Sequence, residues 1–317
     1  MIKSMKNLKN PFLIGYVVIY MISLAILNSS ENFSIGNSVT ILVIVGFGFS
    51  GLAFILTRFS KPMKITVSGS SKEMFFLVFS VIVIVVFLTW GSRALSNLFL
   101  SSFDKTSFVT HFGHLIQKLF FFVAIPLFVM LKYFGYSLKD FGIQFKNTGS
   151  NWKSHLPVMV GLVLFFILFN YFVGRGAEPI REGHFSAMQL IIGMPLSFIW
   201  LLLEVGLVEE FFFRAYLQTR LAVFFKSKLS GIITACLIFG LAHAPGLYLR
   251  GAGSITALGD SPTFIFAVAY SIVTLSVAGF FLGIIWIRTR NLPLLMVIHA
   301  AGDLMPGYPE LMQVFNI

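Results

Sequence analysis

Nine apolar runs, all but one near bilayer-crossing length, constrain this chain more than any other feature of its sequence. A helix that crosses the hydrocarbon core needs about 20 mostly apolar residues, because lipid offers no partner to an open backbone. The runs fall at residues 11–27, 39–57, 74–92, 115–131, 156–173, 186–224, 229–249, 263–287 and 291–306. Only 11% of the 317 residues are charged, where a soluble domain carries about 25%. Too little polar surface is encoded to face water, so lipid is the expected solvent. The expected fold class is all-α: a polytopic transmembrane helix bundle of about nine spans with its N-terminus inside.

The placement of charge agrees. A net charge of +11 would point to nucleic acid in a soluble protein. Here seventeen of the 23 Lys and Arg residues fall on the polar segments assigned to the N-terminal side of the membrane and five on the opposite ones. That is the positive-inside bias, and no nucleic-acid partner is expected. The first run follows Lys3, Lys6 and Lys9 without a small-x-small cleavage site, so it reads as a signal anchor. The sixth run is too long for one simple span, and Pro195 is expected to break it into a short leading piece and a main helix. Residues 93–114 are half polar and read as an interfacial helix or an ordered outer loop. The polar segment 132–155 divides an N-terminal four-span region, 1–155, from a second region, 156–317, which holds the unusual chemistry. Cys236 is the one cysteine, which excludes an internal disulfide and a cysteine-based metal site.

A charged side chain at the middle of a membrane helix costs about 2.5–3.5 kcal/mol to insert, so each one is a functional candidate. The sixth run carries Glu204, Glu209, Glu210 and Arg214, the seventh His243, and the ninth His299 and Asp303, while the first three runs have none well inside. Glu210 and Arg214 stand four apart and share an α-helical face, as do His299 and Asp303. Glu209 is turned about 100° from Glu210 and needs a partner from another helix. Glu209 precedes Lys226 by 17 residues and His243 follows Lys228 by 15, which at 1.5 Å per residue places them within about 3 Å of one depth. One cluster of Glu209, His243, His299 and Asp303 is therefore expected. A carboxylate beside an imidazole can hold a water and take its proton. A second imidazole with a polar neighbour can stabilise the oxyanion that forms on a carbonyl. Glu204 reads as a cap or a bridge between helices, Phe211–Phe213 as lipid-facing, and His111, His114, His155 and His184 as polar residues near loops.

Three motifs carry these residues. Glu209-Glu210-Phe211-Phe212-Phe213-Arg214 reads EExxxR, Phe239 to His243 reads FxxxH, and His299 to Asp303 reads HxxxD. Their order and spacing, with the surrounding text over residues 190–306, resemble the CPBP family of CAAX proteases and bacteriocin-processing enzymes, also called the Abi or Rce1-like family. The resemblance implies an intramembrane endopeptidase. Glu209 would be the general base, His243 would help hold the attacking water, and His299 with Asp303 would stabilise the oxyanion. Glu210, Arg214 and Phe239 would be structural support. Two departures stand out. Ala215 occupies a position where the family often has Gly, and Asp303 one where the prenyl-protein proteases have Asn. A carboxyl group donates a hydrogen bond only when protonated, so an oxyanion role for Asp303 needs the neutral acid; otherwise it orients His299 or binds the substrate's amine.

No cofactor is expected. The alternative is a zinc enzyme with the metal at Glu209, His243 and His299, although their spacing matches no standard zinc motif. A second alternative is a non-enzymatic scaffold or bacteriocin-immunity protein that keeps the fold, and a third is a transporter or proton relay. The expected partners are membrane lipid and a peptide or protein substrate, plain or lipidated. The high Phe, Ile, Lys and Asn content points to a bacterial plasma membrane.

Overall fold

The computed structural model describes residues 9–29, 33–144, 150–250 and 262–317. Among these residues the chain forms nine long helices. They are α1 Pro11–Leu27, α2 Ile35–Leu56, α3 Ser71–Phe99, α4 Phe108–Lys132, α5 Ser150–Phe172, α6 Ala187–Phe224, α7 Lys228–Arg250, α8 Phe264–Thr289 and α9 Leu292–Phe315. Their starts follow from local chemistry. Side-chain oxygens of Asn10, Ser70, Ser107, Ser186, Thr263 and Asn291 accept from backbone N–H groups of the first turn of α1, α3, α4, α6, α8 and α9, which satisfies donors that a helix leaves open there. Seven helices, α2 to α8, are long and apolar enough to cross a membrane. Of the other two, α1 is shorter at 17 residues, and the apolar run of α9 is interrupted by His299, Asp303 and Glu310. The chain is an all-α integral membrane protein.

Two expectations are corrected and one is narrowed. Pro195 does not break the sixth run, because α6 is continuous for 38 residues. It changes its winding instead, into wide π-helical turns at Leu202–Leu207 and Glu210–Gln218. Residues 93–114 form no separate interfacial helix but include an ordered loop: α3 runs to Phe99, Asp104 ties the loop through Thr106 and Thr110, and α4 starts at Phe108. The ninth run does not stop at Pro306, and α9 continues through Pro306 and Pro309 to Phe315. A proline lacks the N–H that would bond to the carbonyl four residues back. For Pro306 that carbonyl belongs to Gly302, and the Asn170 side-chain amide donates to it at 2.7 Å. A polar side chain on α5 thus replaces the missing helical bond, as apolar surroundings require.

The chain packs as two compact units, each built from three separate stretches of the sequence. The first comprises Met1–Arg58, Val67–Leu88 and Phe213–Ile287, the second Phe59–Thr66, Thr89–Phe212 and Arg288–Ile317. In the first, Tyr16, Tyr20 and Leu27 of α1 bury against Ile233 of α7 and Ala269, Val273 and Val277 of α8. A Cβ on Gly240 would lie 2.8 Å from the Ser271 carbonyl oxygen, so the backbones of α7 and α8 nearly touch there, the packing mode that small residues permit between membrane helices. In the second, Leu115 of α4, Trp200 and Leu201 of α6, and Ala300 and Leu311 of α9 form the core. Its polar segment 133–144 turns at Leu138–Phe141, where Asp140 accepts from the N–H groups of Ser137 and Thr66, each at 2.9 Å. Gly142 closes that turn at φ 76°, a conformation open to glycine.

Candidate active site

The EExxxR motif lies on α6 where the wide turns of Glu210–Gln218 begin, with Glu209 and Glu210 in the second unit and Arg214 in the first. Within the second unit, α6 and α9 approach at Gly206, where an added Cβ would lie 2.8 Å from the Met296 carbonyl oxygen and 3.2 Å from its Cα. One turn further along both helices, the same approach lets Glu210 Oε1 reach His299 Nδ1 at 2.7 Å. His299 Nε2 faces Asp303 Oδ2 at 3.5 Å. The ring is thus bracketed by two carboxylates, and it can donate to both only when both nitrogens carry protons. Glu210 is fully buried, His299 is 11% exposed and Asp303 47% exposed, so the group opens on the Asp303 side. Glu209, half-buried beside Glu210, is within electrostatic reach of the same ring.

In α-helical winding Glu210 and Arg214 share a face. Over Glu210–Gln218 the turns are wider, and residues four apart stay on nearly one face. Phe211–Phe213 do not face lipid: all three are at most 1% exposed. Phe211 packs on Phe141 and Phe212 on Phe122 in the second unit, and Phe213 on Phe239 in the first. These aromatic contacts fill the space beside the motif.

Within the first unit, the Arg214 guanidinium lies 4.2 Å over the Phe239 ring, a cation–π contact. The His243 ring meets the edge of Phe239 at 4.8 Å between centres. His243 Nδ1 lies 2.8 Å from the Phe239 carbonyl oxygen. A carbonyl only accepts, so Nδ1 holds a proton, and in the neutral ring the Nε2 lone pair is left to accept from water. The structure therefore brings Glu210, His299 and Asp303 together in one unit, with Glu209 beside them, and Arg214, Phe239 and His243 together in the other.

Other polar residues hold the fold, and for Glu204 this is the bridging role expected of it. Glu204 bridges α4 and α6, accepting from Lys118 Nζ and Trp200 Nε1, each at 2.6 Å. His155 is fully buried. Its Nδ1 accepts from the Asn291 amide at 3.1 Å, so Nε2 donates to the Lys61 carbonyl at 3.1 Å. Sequence reasoning missed Glu73 and Arg220, whose side chains pair at 2.8 Å and are each 1% exposed. A carboxylate near the start of a span looks interfacial, and only its burial marks it. Among the described residues no group of three His, Cys, Asp or Glu side chains is arranged to hold a metal ion.

Comparison with known proteins agrees with the motifs. Residues 191–305 match the family model of the type II CAAX prenyl endopeptidase Rce1-like proteins. The matched stretch spans α6 to α9 and contains all three motifs. The match implies a CAAX-type intramembrane protease. No curated protein and no solved structure matches the chain.

Proposed function

With residues 191–305 Rce1-like, we propose that this chain hydrolyses a peptide bond in a membrane-associated or lipidated substrate, with Glu209 as the general base. Glu209 takes a proton from water as the oxygen attacks the scissile carbonyl carbon. His299 donates from Nε2 to the oxyanion that forms, with Asp303 at the open side of the ring. As the carbon–nitrogen bond breaks, the proton on Glu209 passes to the leaving amine, and acid and amine products separate. His243 helps hold the water through Nε2; that part rests on the FxxxH motif and on the tautomer its Phe239 bond selects. Glu210 fixes the His299 ring from its other nitrogen.

The observation that carries the reading is the buried Glu210 carboxylate set 2.7 Å from His299, whose second nitrogen faces the accessible Asp303. A purely structural ion pair has no need of an open side. Preorganised donors of this kind are what acyl transfer requires. A lipid-borne peptide is the proposed substrate class and a bacterial plasma membrane the proposed location, on the Phe-, Ile- and Lys-rich composition.

The test is cleavage of quenched peptides, plain and prenylated, by purified detergent-solubilised protein with a chelator present. Wild type should cleave, and Glu209→Gln should lose about 10³-fold or more in kcat, the range for removing a general base. Activity lost to the chelator and restored by Zn²⁺ would favour the metal version. Equal turnover by wild type and Glu209→Gln would remove Glu209 from the chemistry. No turnover by wild type on any peptide would leave the scaffold reading.

A further inference from the structure

We propose that Glu73 and Arg220 are positioning residues which hold the wide-turned end of α6 and, through it, the His243 ring. The proposal rests on the reading of His243 as a water-holding residue. Every contact it uses lies within the first unit.

The wide turns end at Gln218, and α-helical winding resumes at Thr219. Where the bonding pattern changes, backbone carbonyls lose their regular partners. Three consecutive ones are met by side chains. Thr219 Oγ1 donates to the Arg214 carbonyl at 3.0 Å. Arg220 Nη1 donates to those of Ala215 at 3.3 Å and Tyr216 at 3.2 Å. The guanidinium also lies 4.9 Å over the Tyr216 ring, and the Tyr216 hydroxyl meets Ser80 Oγ at 3.1 Å. Glu73 Oε1 then pairs with Arg220 Nε at 2.8 Å. Its other oxygen accepts from Ser68 Oγ at 2.9 Å and the Gly69 N–H at 3.1 Å.

A buried ion pair adds little net stability, because desolvation offsets the attraction; its better use is to fix one geometry among several. The geometry fixed here is the winding. From that segment the Arg214 guanidinium covers Phe239, and Phe239 in turn supports the His243 ring and accepts its Nδ1–H. If the segment relaxed to α-helical winding, Arg214 would turn away from Phe239. Glu73 lies outside the matched residues 191–305, so α3 supplies a part that the motif-bearing helices lack.

The experiment compares wild type with the double variant Glu73→Met/Arg220→Met, which removes the pair without leaving a buried charge, and with Arg220→Lys, which keeps the charge but loses the fork that reaches two carbonyls. Two readouts are taken on purified protein: hydrogen–deuterium exchange over residues 213–222 and 236–246, and kcat and KM on a peptide that wild type cleaves. The double variant should stay folded by size exclusion, exchange about tenfold faster over both segments, and lose about tenfold in kcat with KM within about twofold. Arg220→Lys should fall between the two, and if the double variant does not fold, Arg220→Lys carries the test. Unchanged exchange over 236–246 overturns the proposal, as does unchanged kcat with faster exchange over 213–222. Were wild type to cleave no peptide, the exchange over 236–246 would still decide the positioning claim, and only the protease reading would fail.

Discussion

Two carboxylate–cation pairs are built on the single helix α6, ten residues apart, and they are made differently. Glu210 meets His299 at 2.7 Å, and the pair opens through Asp303, which is 47% exposed. Arg220 meets Glu73 at 2.8 Å with both side chains 1% exposed. In the first, a fully buried carboxylate holds one side of a ring and leaves the other side reachable. In the second, both side chains are sealed from solvent and Arg220 Nη1 donates to two backbone carbonyls. On the proposed reading the same interaction chemistry serves reaction in one place and winding in the other, and the open side is what separates them.

The sharpest way to break this comparison is to remove the ring. His299→Ala should lower kcat by about 10²–10³, the range for losing an oxyanion donor, against about tenfold for the sealed pair. Steady-state kinetics on one cleaved peptide would measure both. Equal losses would mean that both pairs merely hold the fold. Next comes the approach that brings the ring to Glu210. Gly206→Leu places side-chain atoms where the Met296 backbone stands. Overpacking of this kind costs about 1–3 kcal/mol, and a displacement of α9 of about 1 Å can cost about 10² in rate. The expected result is a folded protein with kcat down by about 10² and a melting temperature lowered by a few degrees; unchanged kcat would show that α6 and α9 need not touch for catalysis.

How much of this could be read in advance depends on the range of the interactions. The α1 boundary falls at Pro11 and Leu27, as the sequence indicates, because a cap at Asn10 and an apolar run are both local. The three motifs locate Glu209, Glu210, His243, His299 and Asp303 because the chemistry repeats at helical spacing. The winding of α6 is not local. Nothing between Glu210 and Gln218 announces wide turns, and the contacts that hold them include Glu73, 147 positions before Arg220. Pro306 looked like an end because its rescuer, Asn170, stands 136 positions before it. The triplet Phe211–Phe213 looked lipid-facing because apolar side chains suit lipid and protein interior equally, and periodicity cannot choose between them.

The smallest expected effect tests whether a carboxylate that holds backbone can be lost without touching the rate. Asp140 lies between α4 and α5 and, like Glu73, accepts from N–H groups. Burial raises its pKa, but the hydrogen bonds from Ser137 and Thr66 outweigh it and hold the carboxyl below its ordinary value. A folded pKa below the unfolded one, about 3.9 for Asp, means that the charged form stabilises the fold above that value. The contribution is lost as pH falls through the folded pKa. Asp140→Asn should therefore cost about 1 kcal/mol near neutral pH, the usual scale for a capping carboxylate. The gap in melting temperature from wild type should close as the solution is made acidic, and kcat should not change. A gap that persisted in acid would mean that the carboxylate's charge is not what holds the turn. A fall in kcat would mean that backbone-holding carboxylates reach the chemistry even from the surface, and the line drawn between the open pair and the sealed one would then have to be moved.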